Sequence, residues 1–206
     1  MVLDINIKII VLGDIGVGKS SIIHKMCDKK FNPNIASTIG IDVTHKKVHI
    51  KKKDLEFGVN IYFWDTNGQE KYKSLTSSYL KNTHIFIYVF DVSNIESYRN
   101  VSNWKKFVST YISEENMLFS LLIGNKIDIK PSFNHIKFYD AINYAQQQNM
   151  MYIELSAKED ITKIETLLEL VLIQLDLHTI YRIQSNLIKL NSSYITNQKS
   201  DKKKCC

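Results

Sequence analysis

The strongest chemical signal in the chain is an octapeptide, residues 13–20, with the pattern G-x-x-x-x-G-K-[ST]. This pattern predicts a loop whose glycines let backbone N–H groups converge on phosphate oxygens at the N-terminus of a helix. Lys19 would reach the outer phosphates, and the Ser20 hydroxyl would bind Mg²⁺. The flanking apolar run Ile7–Leu12 and the unbroken segment Ser21–Met26 are typical of the strand and helix that such a loop needs. The residues expected to contact the nucleotide phosphates are Gly13, Asp14, Gly16, Val17, Gly18, Lys19, Ser20 and Ser21.

A second motif, D-x-x-G-Q over residues 65–69, comes at the end of a predicted strand. A carboxylate at a strand end suits an outer-sphere contact to Mg²⁺, so we assign Asp65 to the same metal as Ser20. Gly68 can bring a backbone N–H close to a terminal phosphate, and Gln69 can then orient an attacking water as the catalytic residue. An ordinary turn is the alternative, and the position of the motif downstream of a phosphate loop disfavours it.

Two further motifs predict which base the site selects. The sequence N-K-I-D over residues 125–128 follows a predicted strand, and the Asp128 carboxylate can accept hydrogen bonds from both N1 and the 2-amino group of guanine. Adenine lacks that pair of donors and would leave the carboxylate unpaired, so the site discriminates against it. The sequence S-A-K over residues 156–158 would close the pocket with a backbone N–H to the base oxygen. The residues expected to form this pocket are Asn125, Lys126, Asp128, Ser156, Ala157 and Lys158.

Strand-like and helix-like segments alternate along the chain. The predicted strands are Ile7–Leu12, Val43–Lys51, Phe57–Asp65, Ile85–Asp91, Leu118–Gly124 and Met151–Leu155. The predicted helices are Lys19–Asp28, Tyr98–Ser113, Phe138–Gln148 and Thr162–His178, with a shorter one near Gln69–Tyr79. This order predicts an α/β fold with a doubly wound, mostly parallel six-stranded sheet. The second and third strands are too close in sequence for a crossover, so they should form an antiparallel hairpin with one antiparallel edge strand. The motifs then fall at the carboxyl ends of strands, where such sheets bind ligands.

The composition is that of a soluble globular protein of 206 residues, with 44% hydrophobic and 23% charged residues. No apolar run approaches the length of a membrane span and no signal peptide is evident, so we expect a cytosolic chain. The net charge of +6 lies mostly at the C-terminus, because six basic residues face one acid from residue 177 onward. A nucleic-acid partner is not expected, since such proteins usually carry their charge on a folded face.

The chain divides into a predicted guanine-nucleotide-binding domain, residues 1–178, and a flexible tail, residues 179–206, in which polar residues dominate. The tail ends in Cys205 and Cys206. A metal site is disfavoured for these two cysteines because no further metal ligands accompany them. A disulfide is disfavoured because the chain is expected to be cytosolic, where thiols stay reduced. Cys27 falls in the first predicted helix and is expected to be a small core residue, and the six histidines show no metal-ligand spacing.

Four motifs in this order resemble those of the Ras-superfamily small GTPases over about residues 6–178. The features that resemble the Rab family within that superfamily are Ser37–Gly40, Trp64–Thr66, Lys73–Tyr79 and the final Cys205-Cys206. The resemblance implies the P-loop small GTPase fold and a monomeric, membrane-anchored switch. Such a switch binds GTP and GDP with Mg²⁺, hydrolyses GTP slowly without an activating partner, and works in intracellular membrane trafficking. A Ran-like identity conflicts with the lipidatable tail, and an Arf-like one conflicts with Val2 in place of a myristoylatable glycine.

The resemblance also assigns roles to residues outside the four motifs. Phe31 should pack on the guanine ring, and Thr38 should bind Mg²⁺ and sense the third phosphate. Effectors should bind the GTP form through Phe31–Gly40 and Asp65–Tyr79. An exchange factor, a GTPase-activating protein, Rab escort protein and GDP-dissociation inhibitor should act on the chain. Because no arginine lies in the loop regions, the activating protein would supply one.

The tail is expected to carry geranylgeranyl groups on Cys205 and Cys206, as Rab tails of this form do. Two prenyl chains anchor a protein stably, and Lys202–Lys204 would add attraction to anionic lipid headgroups. The expected location is the cytoplasmic face of endomembranes, in exchange with the cytosol. Segments at Asn32-Pro33, Thr38–Gly40 and Asn103-Trp104 resemble a Rab subgroup linked to the endoplasmic reticulum, and this favours the endoplasmic reticulum, Golgi or lipid droplets.

Three features depart from the family pattern. Asn67 stands where the family usually has alanine. Val43 replaces the phenylalanine of an effector-facing aromatic triad and leaves Trp64 and Tyr79 as its other members. Extra residues around Lys51–Asp54 suggest a lengthened hairpin turn. Asn67 leaves open an alternative, namely a nucleotide-locked membrane scaffold with negligible hydrolysis. A P-loop kinase or ATPase is a second alternative, and Asp128 speaks against it.

Overall fold

The computed structural model describes residues 2–27, 38, 40–52, 55–67, 79–112, 119–130, 135–175 and 180. Among these residues, no helix is both long enough and apolar enough to cross a membrane. The predicted short helix near 69–79 lies outside the described residues, except for Tyr79, which is in a turn.

A six-stranded sheet forms the centre of the molecule. Its strands are β1 (Val2–Leu12), β2 (Ile41–Lys52), β3 (Leu55–Thr66), β4 (Ile85–Asp91), β5 (Phe119–Asn125) and β6 (Met151–Leu155). Their spatial order is β2-β3-β1-β4-β5-β6. Among the strands in the described part of the chain, β2 alone runs antiparallel to its neighbour, and the other neighbouring strands are parallel. The predicted fold, a mostly parallel six-stranded sheet with one antiparallel edge strand, is confirmed.

Helices cover both faces of this sheet. They are α1 (Lys19–Met26), α2 (Ile95–Tyr111), α3 (Phe138–Gln147) and α4 (Ile161–Gln174). One core layer lies between the sheet and helices α1 and α4, and the other lies between the sheet and helices α2 and α3. Successive residues of β1 alternate between the layers, with Ile9 and Val11 in the first and Ile10 and Leu12 in the second. This burial on both faces explains why the end of β1 is a continuous apolar run.

The first strand begins at Val2, five residues before the predicted start. Its early part alternates between exposed and buried residues, so that Leu3 and Ile5 are buried while Asp4 and Asn6 are exposed. Asp4 also forms an ion pair with Lys47, whose Nζ lies 3.3 Å from Asp4 Oδ1. The prediction was too short because polar residues interrupt the apolar run, although on a half-exposed strand they simply occupy the outer face.

Two predicted helix ends are corrected by the structure. Helix α2 begins at Ile95 rather than Tyr98, because the Asn94 side chain caps it by accepting hydrogen bonds from the backbone N–H groups of Glu96 and Ser97. Helix α4 ends at Gln174 rather than His178, since Leu175 turns into an extended conformation with its side chain buried. Ile180 is also buried in this core layer, so the packed chain reaches at least that residue.

The β2–β3 hairpin is also different from the prediction. Pairing continues to Lys52 opposite Leu55, and both strands are 12 residues long. Lys51 and Lys52 of the extra segment therefore lengthen the strand pairing, and residues 53 and 54 lie outside the described residues.

Candidate guanine-nucleotide site

The phosphate loop, residues 13–20, connects β1 to α1. Gly13 has a φ of 145° and Gly18 a φ of 100°, both in the region that favours glycine. A Cβ on Gly13 would lie 2.1 Å from the Val89 carbonyl oxygen, and one on Gly18 would lie 2.2 Å from Asn125 Nδ2. Glycine is therefore required at both positions for conformational and for steric reasons.

Lys19 lies at the start of α1 with its ammonium group inside the loop. Its Nζ donates hydrogen bonds to the carbonyl oxygens of Gly13 at 2.8 Å and Asp14 at 2.7 Å. Burial lowers the pKa of Lys19 to about 8, against the attraction of the Asp65 and Asp14 carboxylates. A buried ammonium with neutral partners is a strong site for a polyanion, because phosphate oxygens supply the charge that the protein leaves unmatched.

Ser20, Thr38 and Asp65 meet in one oxygen cluster beside Lys19. Thr38 Oγ1 lies 3.1 Å from both Ser20 Oγ and Asp65 Oδ2, and Ser20 Oγ also donates to Asp65 Oδ2. The second carboxylate oxygen, Asp65 Oδ1, is buried without a hydrogen-bond partner in the described part of the chain. Burial raises the pKa of Asp65, although the hydrogen bond from Ser20 and the Lys19 charge oppose this effect.

These oxygen donors fit Mg²⁺. Hydroxyl and carboxylate oxygens are the hard ligands that this ion prefers, and an unpaired buried carboxylate oxygen is a place where a cation relieves a desolvation cost. Within the described residues, no group of three or more His, Cys, Asp or Glu side chains could hold a metal by itself.

Asn125 links the phosphate loop to the predicted base pocket. It ends strand β5 and is 1% exposed. Its Nδ2 donates to the Val17 carbonyl oxygen at 2.8 Å, and its Oδ1 accepts from the Ala157 backbone N–H at 3.0 Å. A single side-chain amide therefore holds three loops in register across the carboxyl ends of the strands.

Asp128 is oriented by the 156–158 segment. The Ser156 hydroxyl donates to Asp128 Oδ1 at 2.6 Å, and Lys158 Nζ lies 4.0 Å from Asp128 Oδ2. The Asp128 side chain is 15% exposed, so one face of the carboxylate still reaches solvent. The structure thus brings together the predicted base-pocket residues of both motifs.

Sequence reasoning missed one supporting acid. Asp91, at the end of β4, pairs with Lys126 at 2.7 Å, and the Lys126 backbone has a left-handed conformation with φ of 68°. Burial alone would raise the pKa of Asp91, but hydrogen bonds from Lys126 and Ser93 outweigh it and lower the pKa. The position of Asp91 at the carboxyl end of a central strand was the available signal.

Asp14 was predicted to contact the phosphates, but the partners of its side chain were not predicted. Its Oδ1 accepts from the Trp104 indole N–H at 2.8 Å, and its Oδ2 accepts from Asn100 Nδ2 at 2.7 Å. These partners lie on α2, so the helix fixes the start of the phosphate loop. Both carboxylate oxygens of Asp14 accept hydrogen bonds from neutral donors on α2. The negative charge of this side chain is therefore directed toward α2 and away from the expected phosphate site.

We predict that Trp104→Phe lowers the unfolding free energy by at least roughly 1.5–3 kcal/mol, the usual value of a hydrogen bond to a charged group. Phenylalanine lacks the N–H donor and is also smaller than the buried indole, so lost packing adds to this cost. Urea denaturation of both proteins measures this cost. In an Asp14→Ala background the same substitution should cost much less, and an equal cost in both backgrounds would contradict the link.

The aromatic pair Trp64 and Tyr79 lies beside the exposed Val43. The two rings are 5.2 Å apart, and Val43 pairs with Trp64 across the β2–β3 ladder. Lys8 Nζ lies 4.4 Å from the Trp64 ring centroid and donates to the Lys81 carbonyl oxygen at 2.9 Å. Two members of the predicted aromatic triad thus remain together, and Lys8, which the sequence did not single out, supports them.

Some predicted site residues lie outside the described part of the chain. They are Phe31, Gly68, Gln69, Cys205 and Cys206. Their predicted roles therefore stay predictions.

The fold and the site define a guanine-nucleotide-binding P-loop protein. The Ras family model matches residues 8–175. The chain is 32% identical over 213 residues to "Ras-related protein Rab-27B" of Bos taurus, covering 98% of this chain and 96% of that one. It is 38% identical to "Ras-related protein Rab-1" of Theileria parva, over 74% and 67% of the two chains. It is 34% identical to "Ras-related protein Rab-18-B" of Danio rerio, over 74% and 71%. The chain belongs to the Ras family and, within it, to the Rab GTPases.

Family membership confirms the predicted activity class. The chain is a Rab-like small GTPase that binds guanine nucleotide, hydrolyses GTP and works in membrane trafficking. As a Rab, it associates with endomembranes and acts with effectors, exchange factors, activating proteins and a GDP-dissociation inhibitor. A nucleotide-locked scaffold is not favoured by these relatives, and neither is a P-loop kinase or ATPase.

Proposed function

We propose that the chain switches between GTP and GDP at the site described above. The observation that carries this proposal is the Asn125 side chain, which ties Val17 of the phosphate loop to Ala157 of the base pocket. With that link in place, a nucleotide bound at Lys19 through its phosphates would present its base to Asp128. Residues Gly13–Ser21 would hold the phosphates, Phe31 would cover the guanine ring, and Lys126 would line the base.

We further propose that Ser20, Thr38 and Asp65 hold Mg²⁺. A bound Mg²⁺ would neutralise charge on the phosphates. Asp65 orients the Ser20 hydroxyl, and Thr38 brings its own hydroxyl from a separate segment of the chain. Thr38 and Gly68 belong to different segments of the sequence, and both would contact the third phosphate. Hydrolysis would then release them and end effector binding.

For hydrolysis, we propose that Gln69 orients the water that attacks the third phosphate. Lys19 and backbone N–H groups of the loop stabilise the negative charge that develops during phosphoryl transfer. The chain has only two arginines, Arg99 on α2 and Arg182 in the proposed tail. We therefore propose that the activating protein contributes the arginine, which accelerates hydrolysis by roughly 10³–10⁵-fold in this class of reaction.

The Mg²⁺ assignment is tested by Ser20→Ala. In the wild-type protein, removal of Mg²⁺ with EDTA should accelerate release of a fluorescent GDP analogue. The variant should lose metal affinity by at least the roughly 10–100-fold that removal of a supporting group causes. Stopped-flow fluorescence against Mg²⁺ concentration measures this shift. Ser102→Ala, an exposed serine on α2, is the matched control. Equal Mg²⁺ dependence in Ser20→Ala and wild type would refute the assignment.

We propose that effectors contact Phe31–Gly40 and Asp65–Tyr79, and that the exposed Val43 beside Trp64 alters which effectors fit. The tail has a proposed partner of its own, since Rab escort protein is proposed to present it for modification. The proposed division is a GTP-binding domain over residues 1–178, extended to at least the buried Ile180, and a tail over the residues that follow. The domain is proposed to act as a monomer on the cytoplasmic face of the endoplasmic reticulum, Golgi or lipid droplets, without a nucleic-acid partner.

The proposed anchor is tested at Cys205 and Cys206. Replacement of both by serine should move the fluorescently tagged chain from membranes to cytosol, and replacement of one should give intermediate binding, because a single lipid chain anchors only marginally. Cys27→Ser is the control, since this half-buried cysteine lies at the end of α1. Persistent membrane binding of the double variant would exclude prenylation as the anchor. The same images would identify the organelle.

A further inference from the structure

Asn67 directly follows β3 and occupies the position where the family usually has alanine. It is 8% exposed. Its backbone N–H donates to the Gly40 carbonyl oxygen at 3.0 Å, and its side-chain Nδ2 donates to the Thr38 carbonyl oxygen at 2.5 Å. Alanine could make the first of these bonds and not the second, because it has no side-chain donor.

The residue that Asn67 holds is itself part of the oxygen cluster. The Thr38 hydroxyl lies 3.1 Å from Ser20 Oγ and 3.1 Å from Asp65 Oδ2. The segment that carries Thr38 is thus fixed at two points by one residue, through its backbone at Gly40 and through its side chain at Thr38. Residues 38 and 67 belong to different parts of the chain, so this bond connects the two segments that are proposed to respond to the third phosphate.

We propose that Asn67 is a positioning residue that holds the Thr38 hydroxyl against Ser20 and Asp65. The buried side-chain amide of Asn67 donates a hydrogen bond to the Thr38 carbonyl oxygen, and this restricts where the Thr38 side chain can point. A side chain that is already restricted loses less conformational freedom when it coordinates a metal ion, so metal binding is favoured. By the usual strength of a neutral hydrogen bond, the effect on binding at the cluster is roughly three- to tenfold. The inference rests on the proposed role of Thr38 in holding Mg²⁺.

The test is Asn67→Ala in the full chain, which restores the usual family residue and is expected to fold. The probe is a fluorescent, hydrolysis-resistant GTP analogue, and the quantity measured is the Mg²⁺ concentration that half-maximally slows its dissociation. We expect this midpoint to rise roughly three- to tenfold in Asn67→Ala. Asn60→Ala, an asparagine seven residues earlier on β3, is the matched control and should leave the midpoint unchanged. Thermal unfolding of each variant is recorded in parallel.

A double-mutant cycle with Thr38→Ala separates positioning from structural support. This substitution removes the hydroxyl and keeps the carbonyl that Asn67 contacts. If Asn67 acts through the hydroxyl, Asn67→Ala should raise the midpoint in the wild-type background and have no further effect in the Thr38→Ala background. An equal rise in both backgrounds, or a lower melting temperature with an unchanged midpoint, would overturn the inference. If Thr38→Ala alone leaves the midpoint unchanged, the proposed role of Thr38 fails, and the inference fails with it.

Discussion

Lys19→Met is expected to lower the affinity for GDP by roughly 10²–10⁴-fold. This is the loss of about two charge-assisted hydrogen bonds at 1.5–3 kcal/mol each. In the structure, the ammonium group is buried and donates to the carbonyl oxygens of Gly13 and Asp14. Among the described residues, no carboxylate lies within salt-bridge distance of this group. Equilibrium titration with a fluorescent GDP analogue measures the change.

The same substitution should not weaken the nucleotide-free protein. Burial lowers the pKa of Lys19 from 10.5 to about 8, so the fold disfavours its charged form. The unfolded chain binds this proton more tightly, and stability therefore rises with pH between about 8 and 10.5. Below pH 8 the penalty is present in full and amounts to at most about 3 kcal/mol. Methionine has no such penalty, so the variant should match or exceed the wild-type melting temperature at pH 7, with a smaller difference above pH 8. A variant that loses both stability and affinity would indicate general damage instead of a lost phosphate contact.

Asp128→Asn is expected to lower the affinity for GDP by roughly 10²–10⁴-fold and to raise that for xanthosine diphosphate. The carboxylate accepts from the N1 and 2-amino groups of guanine, and an amide would place a donor opposite one of these donors. Xanthine has a carbonyl group at position 2, so the amide donor finds an acceptor there. The Ser156 hydroxyl could still donate to the amide oxygen, since it now donates to Asp128 Oδ1 at 2.6 Å.

Competition between GDP and xanthosine diphosphate for each protein measures this exchange of preference. Asp140→Asn, which changes an exposed acid on α3, is the control and should keep the preference for GDP. If Asp128→Asn weakens both ligands equally, the residue supports the pocket without reading the base.

The fold was largely predictable because its signals are local. The end of β1 and most of β4 and β5 are buried on both faces and are therefore short apolar runs. The phosphate loop needs glycine at two positions, Gly13 and Gly18, where φ is positive and a Cβ would collide. Errors occurred where local signals conflict with packing. The start of β1 looked polar because its outer face is exposed, and α4 ended early because Leu175 turns inward.

The sequence by itself determined the class of ligand, because the phosphate loop and the pair Asn125 and Asp128 combine residue type with spacing along short segments. Only the tertiary structure showed how the segments are held together. Asp14 is bound by Trp104, 90 residues away, and Asn125 by Val17, 108 residues away. Asn67 likewise meets Thr38 across 29 residues. Such contacts depend on how strands and helices are placed in three dimensions, and no periodicity or motif within a segment encodes them. For this reason, the substitution at Asn67 could be noticed in the sequence, but its partner could not.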